Sequence, residues 1–305
     1  MAIHPISHTA WLVLLSMATL SQDPRYAHLV EPDDAKLYFQ ALRYCERHFL
    51  TYRLVKWLLP PRIHLKLIES ALLKGAPLHY VLRKDFIRRH IKKLIEADEI
   101  SQLVVLGGGF DALALHTARH QPHIICFEFD LVKTQRHKAA IATEHMETLP
   151  DNLHFMPVDL SETSLFDALS SYPAFTVGKP TVFVAEGLSM YLTQAAMDSL
   201  IHDIRRLSPQ ATILFSAIEQ ANTKQHLSSV GAQVQQTTMR VSGEAFSWHM
   251  PMAEMADYLE PRGFTVVQSL SYAELQRSWR TDAEMQAIEP LGGEYMVAAR
   301  SKGQG

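Results

Sequence analysis

Leu103-Val104-Val105-Leu106-Gly107-Gly108-Gly109-Phe110-Asp111 is an aliphatic run that breaks into three glycines and then continues into Leu113, Leu115 and Ala118 at helical spacing. Four successive apolar residues suit a strand buried on both faces. Glycines at its end allow a sharp turn and let a ligand approach the backbone with no Cβ in the way. A strand that passes through glycines into a helix is the opening unit of a nucleotide-binding α/β sheet. Gly107, Gly109 and Ala112 also satisfy the G-x-G-x-x-G/A spacing of dinucleotide sites, so this stretch alone leaves the nucleotide class open.

Downstream, short apolar runs alternate with helical stretches: Ile124 to Phe129, Leu153 to Val158, Thr181 to Ala185 and Ala211 to Ser216. That alternation predicts a doubly wound α/β fold, a parallel sheet with crossover helices on both faces. Ligands of such sheets bind along the edge where the strands end. After about residue 240 the pattern gives a helix over Met252 to Leu259 and strands over Phe264 to Ser269 and Glu294 to Ala299, a β-rich end.

Upstream, from Thr9 to Leu94, apolar residues recur mostly at helical spacing between scattered prolines, which predicts a helical extension forming a lid or wall over the sheet. In its last helix Leu82, Phe86, Ile87, His90, Ile91, Leu94 and Ile95 share one face, while Arg88, Arg89, Lys92 and Lys93 fall on the other, as on a solvated surface. The expected organisation is a single domain: residues 1–98 the helical extension, 99–305 the core, with a substrate-side insertion at about 220–250.

The 305 residues are 47% hydrophobic and 20% charged, with a formal net charge of −3, enough to bury a full core and without a general pull toward nucleic acid or an anionic membrane. Cys45 and Cys126 are the two cysteines, lacking the paired spacing of a metal site or the density of a disulfide scaffold, so no metal is expected and a reducing cytoplasm fits. The apolar stretch Trp11 to Leu15 is too short to span a bilayer and reads as a buried helix in a soluble protein.

Acidic residues close three of the later strands. Phe127-Glu128-Phe129-Asp130 lies about 20 residues past the glycines, the distance at which an acid accepts from ribose hydroxyls; Glu128 is the first choice and Asp130 the second. In Val158-Asp159-Leu160, Asp159 suits either an adenine amino group or the N-cap of the next helix, with Leu160 against the ring. Ala185-Glu186-Gly187-Leu188-Ser189-Met190-Tyr191-Leu192 delivers a carboxylate from a buried strand into a cleft, where an unpaired charge would be costly.

Together with Ser7-His8-Thr9-Ala10 and Leu82-Arg83-Lys84-Asp85-Phe86-Ile87, these motifs resemble the leucine carboxyl methyltransferase-like family of S-adenosylmethionine (SAM)-dependent enzymes, which includes bacterial O-methyltransferases of polyketide and other natural products. The resemblance spans most of the chain. It implies a Rossmann-like class I methyltransferase sheet, SAM as cofactor, and methyl transfer to a carboxylate or hydroxyl of a small molecule or a protein C-terminus. It also implies that Arg83 grips the SAM carboxylate, that Gly107, Gly109 and Asp111 form the glycine loop, that Glu128 or Asp130 is the ribose acid, that Asp159 and Leu160 contact adenine, and that Glu186 faces the methionine end.

The chain departs from the family's pattern after the glycines: many relatives follow the aspartate with a small residue and an arginine, whereas Asp111 is followed by Ala112 and Leu113. The glycines and Glu128 alone also allow an NAD-dependent oxidoreductase, and a SAM-binding protein without transfer activity shares every donor-site motif. A hydroxyl acceptor needs a general base, for which Tyr191, His202 and His249 are the candidates by position. The run from Gln220 to Trp248, with Phe246 and Trp248 at its end, reads as a mobile cover on the acceptor side.

Overall fold

The computed structural model describes residues 8–24, 26–48, 76–146, 148–160, 162–219, 246–278 and 293–303. Among the described residues three helices lead: α1 (His8–Leu20), α2 (Pro32–His48) and α3 (Ala76–Glu96). The alternating core follows as β1 (Gln102–Leu106), α4 (Leu113–His120), β2 (Ile125–Asp130), α5 (Val132–His145), β3 (Leu153–Pro157), α6 (Leu165–Ser170), β4 (Thr181–Ala185), α7 (Gln194–Leu207) and β5 (Ala211–Ile218). The chain closes with α8 (Met255–Leu259), β6 (Phe264–Ser271), α9 (Tyr272–Ser278) and β7 (Glu294–Ser301). The fold class is the expected one, down to the helical start and the strand-rich end.

The seven strands form one sheet in the order β3-β2-β1-β4-β5-β7-β6. The pairs β1 with β2 and β4, β2 with β3, and β4 with β5 are parallel, while β7 runs antiparallel to both β5 and β6. That reversal matters for the site. The first residue of β7, Glu294, pairs with the last residue of β5, Ile218, so the start of β7 lies at the edge where the parallel strands end.

Strand alternation divides the core in two. Leu103, Val105, Val182, Val184, Leu214, Met296 and Ala298 face one side, where α1 to α5 and α9 supply Leu14, Leu37, Leu82, Phe86, Ile87, Ala114, Ile141 and Tyr272. Val104, Leu106, Phe127, Phe129, Phe183, Phe215 and Val297 face the other, against α6, α7 and α8 through Leu169, Ile201, Ile204 and Leu259. Each such Val, Leu, Ile, Phe or Met side chain contributes about 1.5–3 kcal/mol on burial.

The Trp11 to Leu15 stretch lies inside α1, whose Leu14, Leu15, Met17, Ala18 and Leu20 are buried. Among the described residues no helix is long and apolar enough to cross a membrane. Helix α2 docks through Asp34, which is buried, ion-paired with Arg88 of α3 and within hydrogen-bond distance of His116 of α4 at 3.2 Å. Arg88 thus leaves the solvated face assigned to it, whereas Lys92 and Lys93 are exposed as expected.

Most of the run from Gln220 to Trp248 lies outside the described residues. At its end, Trp248 belongs to the core rather than to a mobile cover: it is buried, its indole N–H donates to Gln194 Oε1 at 3.2 Å, and its ring stands 5.7 Å from that of Tyr258.

Candidate functional site

The turn after β1 is fastened to the end of β2. Gly107 N–H donates to the Phe129 carbonyl at 2.8 Å, and Gly109 N–H to Asp130 Oδ2 at 2.7 Å. Gly107 and Gly109 both take positive φ, +65° and +51°. The middle glycine answers a different need: a Cβ on Gly108 would come within 2.7 Å of Glu128 Cδ. Helix α1 lies over the same loop, since a Cβ on Gly109 would stand 3.5 Å from Ala10 Cβ. The Ser7-to-Ala10 motif therefore ends against the glycines.

The two acids of β2 have different surroundings. Glu128 is fully buried, with Lys138 Nζ 2.6 Å and 2.7 Å from its two carboxylate oxygens and Gln135 Nε2 bonded to its backbone carbonyl at 3.0 Å. Burial pushes its carboxyl up to about 7, against the pull of Lys138. Asp130 is half-buried at the strand end, accepting from Gly109 N–H and from Leu131 N–H, each at 2.7 Å. Burial raises its pKa as well, with those two N–H groups opposing.

A buried charge cluster gathers beside the glycine loop. Arg83 and Lys84 of α3 meet Asp111 after the glycines, Glu186 after β4 and Glu294 at the start of β7. Arg83 Nε donates to Glu186 Oε1 at 2.8 Å, and its Nη1 lies 3.5 Å from Glu294 Oε1. Lys84 bonds Asp111 and also reaches Glu186 Oε1 at 3.2 Å. One turn before Arg83, His79 holds Glu294 Oε2 at 2.8 Å and stacks on Tyr272, with ring centroids 3.9 Å apart. The side chains of Arg83, Lys84, Asp111, Glu186 and Glu294 are all between 7% and 13% exposed.

Neighbouring charges outweigh burial at four of these groups. Burial alone would raise Asp111, but Lys84 and Arg88 hold it below the usual carboxylate range. At Glu294 burial is outweighed by its contacts with His79 and Arg83, which set its carboxyl down to about 2. Arg83 and Lys84 are desolvated, yet the surrounding carboxylates keep both pKa values above their ordinary positions. Gly187, at φ +65°, closes the cluster: a Cβ there would crowd both terminal nitrogens of Arg83 to 3.3 Å.

Arg83 and Glu186, chosen from positions 103 apart in sequence, are thus in direct contact. Asp111 faces the same cluster, and Lys84 meets its charge in the absence of an arginine at position 113. Asp159 and Leu160 are half-buried just beyond β3. The N-cap alternative for Asp159 fails: Ser164 caps α6, accepting from Asp167 N–H at 3.0 Å. Tyr191 is half-buried with its ring 5.5 Å from that of Phe246, while His202 and His249 are exposed.

Lys84, His79, Glu294 and Tyr38 were not foreseen. Lys84 follows Val81 and precedes Ile87 by three residues each, inside the apolar stripe of α3, which marks it as a buried cation. Glu294 stands before the apolar run from Tyr295 to Ala299, the same signature that singled out Glu186. Tyr38 of α2 is buried, and its hydroxyl has no hydrogen-bond partner among the described residues. Burial, then the charges of Asp111 and Glu186, raise its pKa well above the ordinary value.

The sequence profile of the leucine carboxyl methyltransferase family matches residues 14–205. Among curated relatives, YktD of Bacillus subtilis is 28% identical over 56% of this chain and 56% of its own. A Mycobacterium marinum protein is 29% identical over 59% of this chain and 58% of its own. Both are named provisionally as S-adenosyl-L-methionine-dependent methyltransferases, and the chain spans little more than half their length. A solved structure from Thermobifida fusca, described provisionally as a methyltransferase, superposes with a TM-score of 0.57 at 16% identity, covering 87% of this chain and 93% of its own. It shares the fold.

Proposed function

The chain belongs to the leucine carboxyl methyltransferase family, and from that premise we propose that it is a SAM-dependent methyltransferase acting on an oxygen, the carboxylate or hydroxyl of a small molecule or of a protein C-terminus. The observation that carries this reading is the buried Arg83–Glu186 pair at the strand-end edge. The amino-acid end of SAM bears one carboxylate and one ammonium, the complements of Arg83 and Glu186. Each side chain can exchange its protein partner for a ligand partner without leaving a buried charge unmet.

The rest of the site fits the same group. Arg83 presents a planar fork suited to a carboxylate, and the unpartnered Tyr38 hydroxyl offers one further donor. The cluster sets the three carboxylates of Asp111, Glu186 and Glu294 beside Arg83 and Lys84, surroundings that suit a ligand carrying a positive sulfonium. Asp130, rather than Glu128, takes the ribose hydroxyls, since Glu128 is committed to Lys138. Asp159 takes the adenine amino group and Leu160 the ring face.

Bound SAM supplies a methyl group already activated by positive sulfur, so the protein's share is to position the acceptor and exclude water. Tyr191 and Phe246 form the acceptor wall. A carboxylate acceptor is ionised at neutral pH and requires no base from them.

Calorimetric titration with SAM and S-adenosylhomocysteine tests the donor site. Micromolar binding, weakened by both Arg83→Ala and Glu186→Ala, is the expected result; a well-folded wild type that binds neither ligand overturns the proposal.

A further inference from the structure

Arg83 has two carboxylate neighbours, and they differ in what surrounds them. Glu186 sits on the turn after β4, where Lys84 also reaches it at 3.2 Å. Glu294 is held through one oxygen: His79, itself 5% exposed and stacked on Tyr272, bonds Oε2 at 2.8 Å, while Oε1 has no hydrogen-bond partner among the described residues and lies 3.5 Å from Arg83 Nη1. Glu186 is thus shared between two cations, and Glu294 is fixed by a histidine on one side with its other oxygen toward Arg83.

If the methionyl ammonium draws Glu186 away, Arg83 loses its closest protein contact as the ligand carboxylate arrives. A guanidinium then needs a fixed second anchor, because a small misplacement of a bidentate donor is costly. The antiparallel run of β7 puts Glu294 at that place, its Oε1 3.5 Å from Nη1, a different nitrogen from the Nε that bonds Glu186.

We propose that Glu294, clamped by His79, is a positioning residue that aims Arg83 at the carboxylate of SAM. The inference rests on Arg83 holding that carboxylate and goes beyond it by assigning the carboxyl-terminal strand a part in cofactor selection. In this role Glu294 acts through the guanidinium, so its effect is confined to ligands that carry the carboxylate.

The test measures dissociation constants for SAM and for decarboxylated SAM by calorimetry in wild type, Glu294→Gln, His79→Asn and Arg83→Met, with melting temperatures alongside. Arg83→Met is expected to abolish the preference for SAM over the decarboxylated compound. Glu294→Gln is expected to weaken SAM about tenfold and leave decarboxylated SAM within about twofold, and His79→Asn, which keeps the carboxylate and removes its clamp, to shift in the same direction by less. Adding Glu294→Gln to Arg83→Met is expected to change neither affinity further. Equal losses for both ligands, or no loss, in a folded Glu294→Gln or His79→Asn protein overturn the role of Glu294 while the Arg83 reading stands. If wild type does not prefer SAM, or Arg83→Met keeps the preference, the Arg83 reading fails and this inference with it.

Discussion

Glu128 and Lys138 are in direct contact, shut off from solvent at 0% and 2% exposed, beside Gly108. The carboxyl group is pinned by Lys138 on both oxygens and by Gln135, so it is a rigid floor for the glycine loop. Gly108→Ala would drive a methyl to 2.7 Å from Glu128 Cδ, and overpacking of this kind costs about 1–3 kcal/mol. A denaturation midpoint lowered accordingly, with weaker SAM binding, is the expected outcome. An unchanged midpoint would mean that the carboxyl group can yield.

Removing one partner of a buried pair leaves the other charge uncompensated and typically costs about 3–5 kcal/mol. Glu186→Ala removes the acceptor shared by Arg83 and Lys84, but Glu294 and Asp111 remain beside them, so a loss near the lower end of that range is expected. Asp34→Ala strips a buried carboxylate from both Arg88 and His116 and loosens the packing of α2 against the core. Urea titration of each variant measures the losses; Asp34→Ala within about 0.5 kcal/mol of wild type would show that the helical extension is held by apolar contacts alone.

Stability should respond to pH in opposite senses through two glutamates. Glu294 is depressed from 4.5 to about 2, so its contribution is present above its ordinary value and is lost as pH falls toward 2, roughly 3 kcal/mol in all. Glu128 is raised from 4.5 to about 7, so the folded protein holds a proton that the unfolded chain releases, and stability falls as pH rises from 4.5 toward 7. Relative to wild type, Glu294→Gln should show a shallower acid limb below pH 4.5, and Glu128→Gln a shallower decline between pH 4.5 and 7. Chemical denaturation across pH 3 to 8 checks both; parallel curves for all three proteins would refute the assignments.

Why some of this was legible in the sequence and some was not has a physical reason. The strands announced themselves because burial on both faces demands continuous apolar runs, as in Leu103 to Leu106 and Thr181 to Ala185, and their ends located Asp111, Asp130 and Glu186. Arg83 came from a motif and its contact with Glu186 confirms only that the two meet. Lys84 was hidden by its neighbour, since adjacent cations on a helix look like one solvated patch. Glu294 was hidden by topology: the sequence marks a strand there but not its direction, and only an antiparallel β7 brings its first residue to the ligand edge. Between Glu128 and Asp130 the pleat itself bears on the proposed choice. Residues two apart share a face, and the one nearer the strand's end is nearer the opening.

That choice between the two acids yields a direct test. Asp130 lies at the end of β2 with its carboxylate oriented by Gly109 and Leu131 N–H groups, and an acid so placed can accept from ribose hydroxyls. Asp130→Asn keeps the size but turns one acceptor into a donor, and is expected to weaken SAM and S-adenosylhomocysteine alike by about tenfold, on the order of 1.4 kcal/mol. 2′-Deoxyadenosine-containing analogues should lose far less in the variant than in wild type, because the partner of the missing hydroxyl is already gone. Glu128→Gln, by contrast, is expected to act on stability and to leave the ratio of ribose to deoxyribose affinities unchanged. If the ratio collapses in Glu128→Gln and persists in Asp130→Asn, Glu128 must leave Lys138 when the ligand arrives, and it is the ribose acid after all.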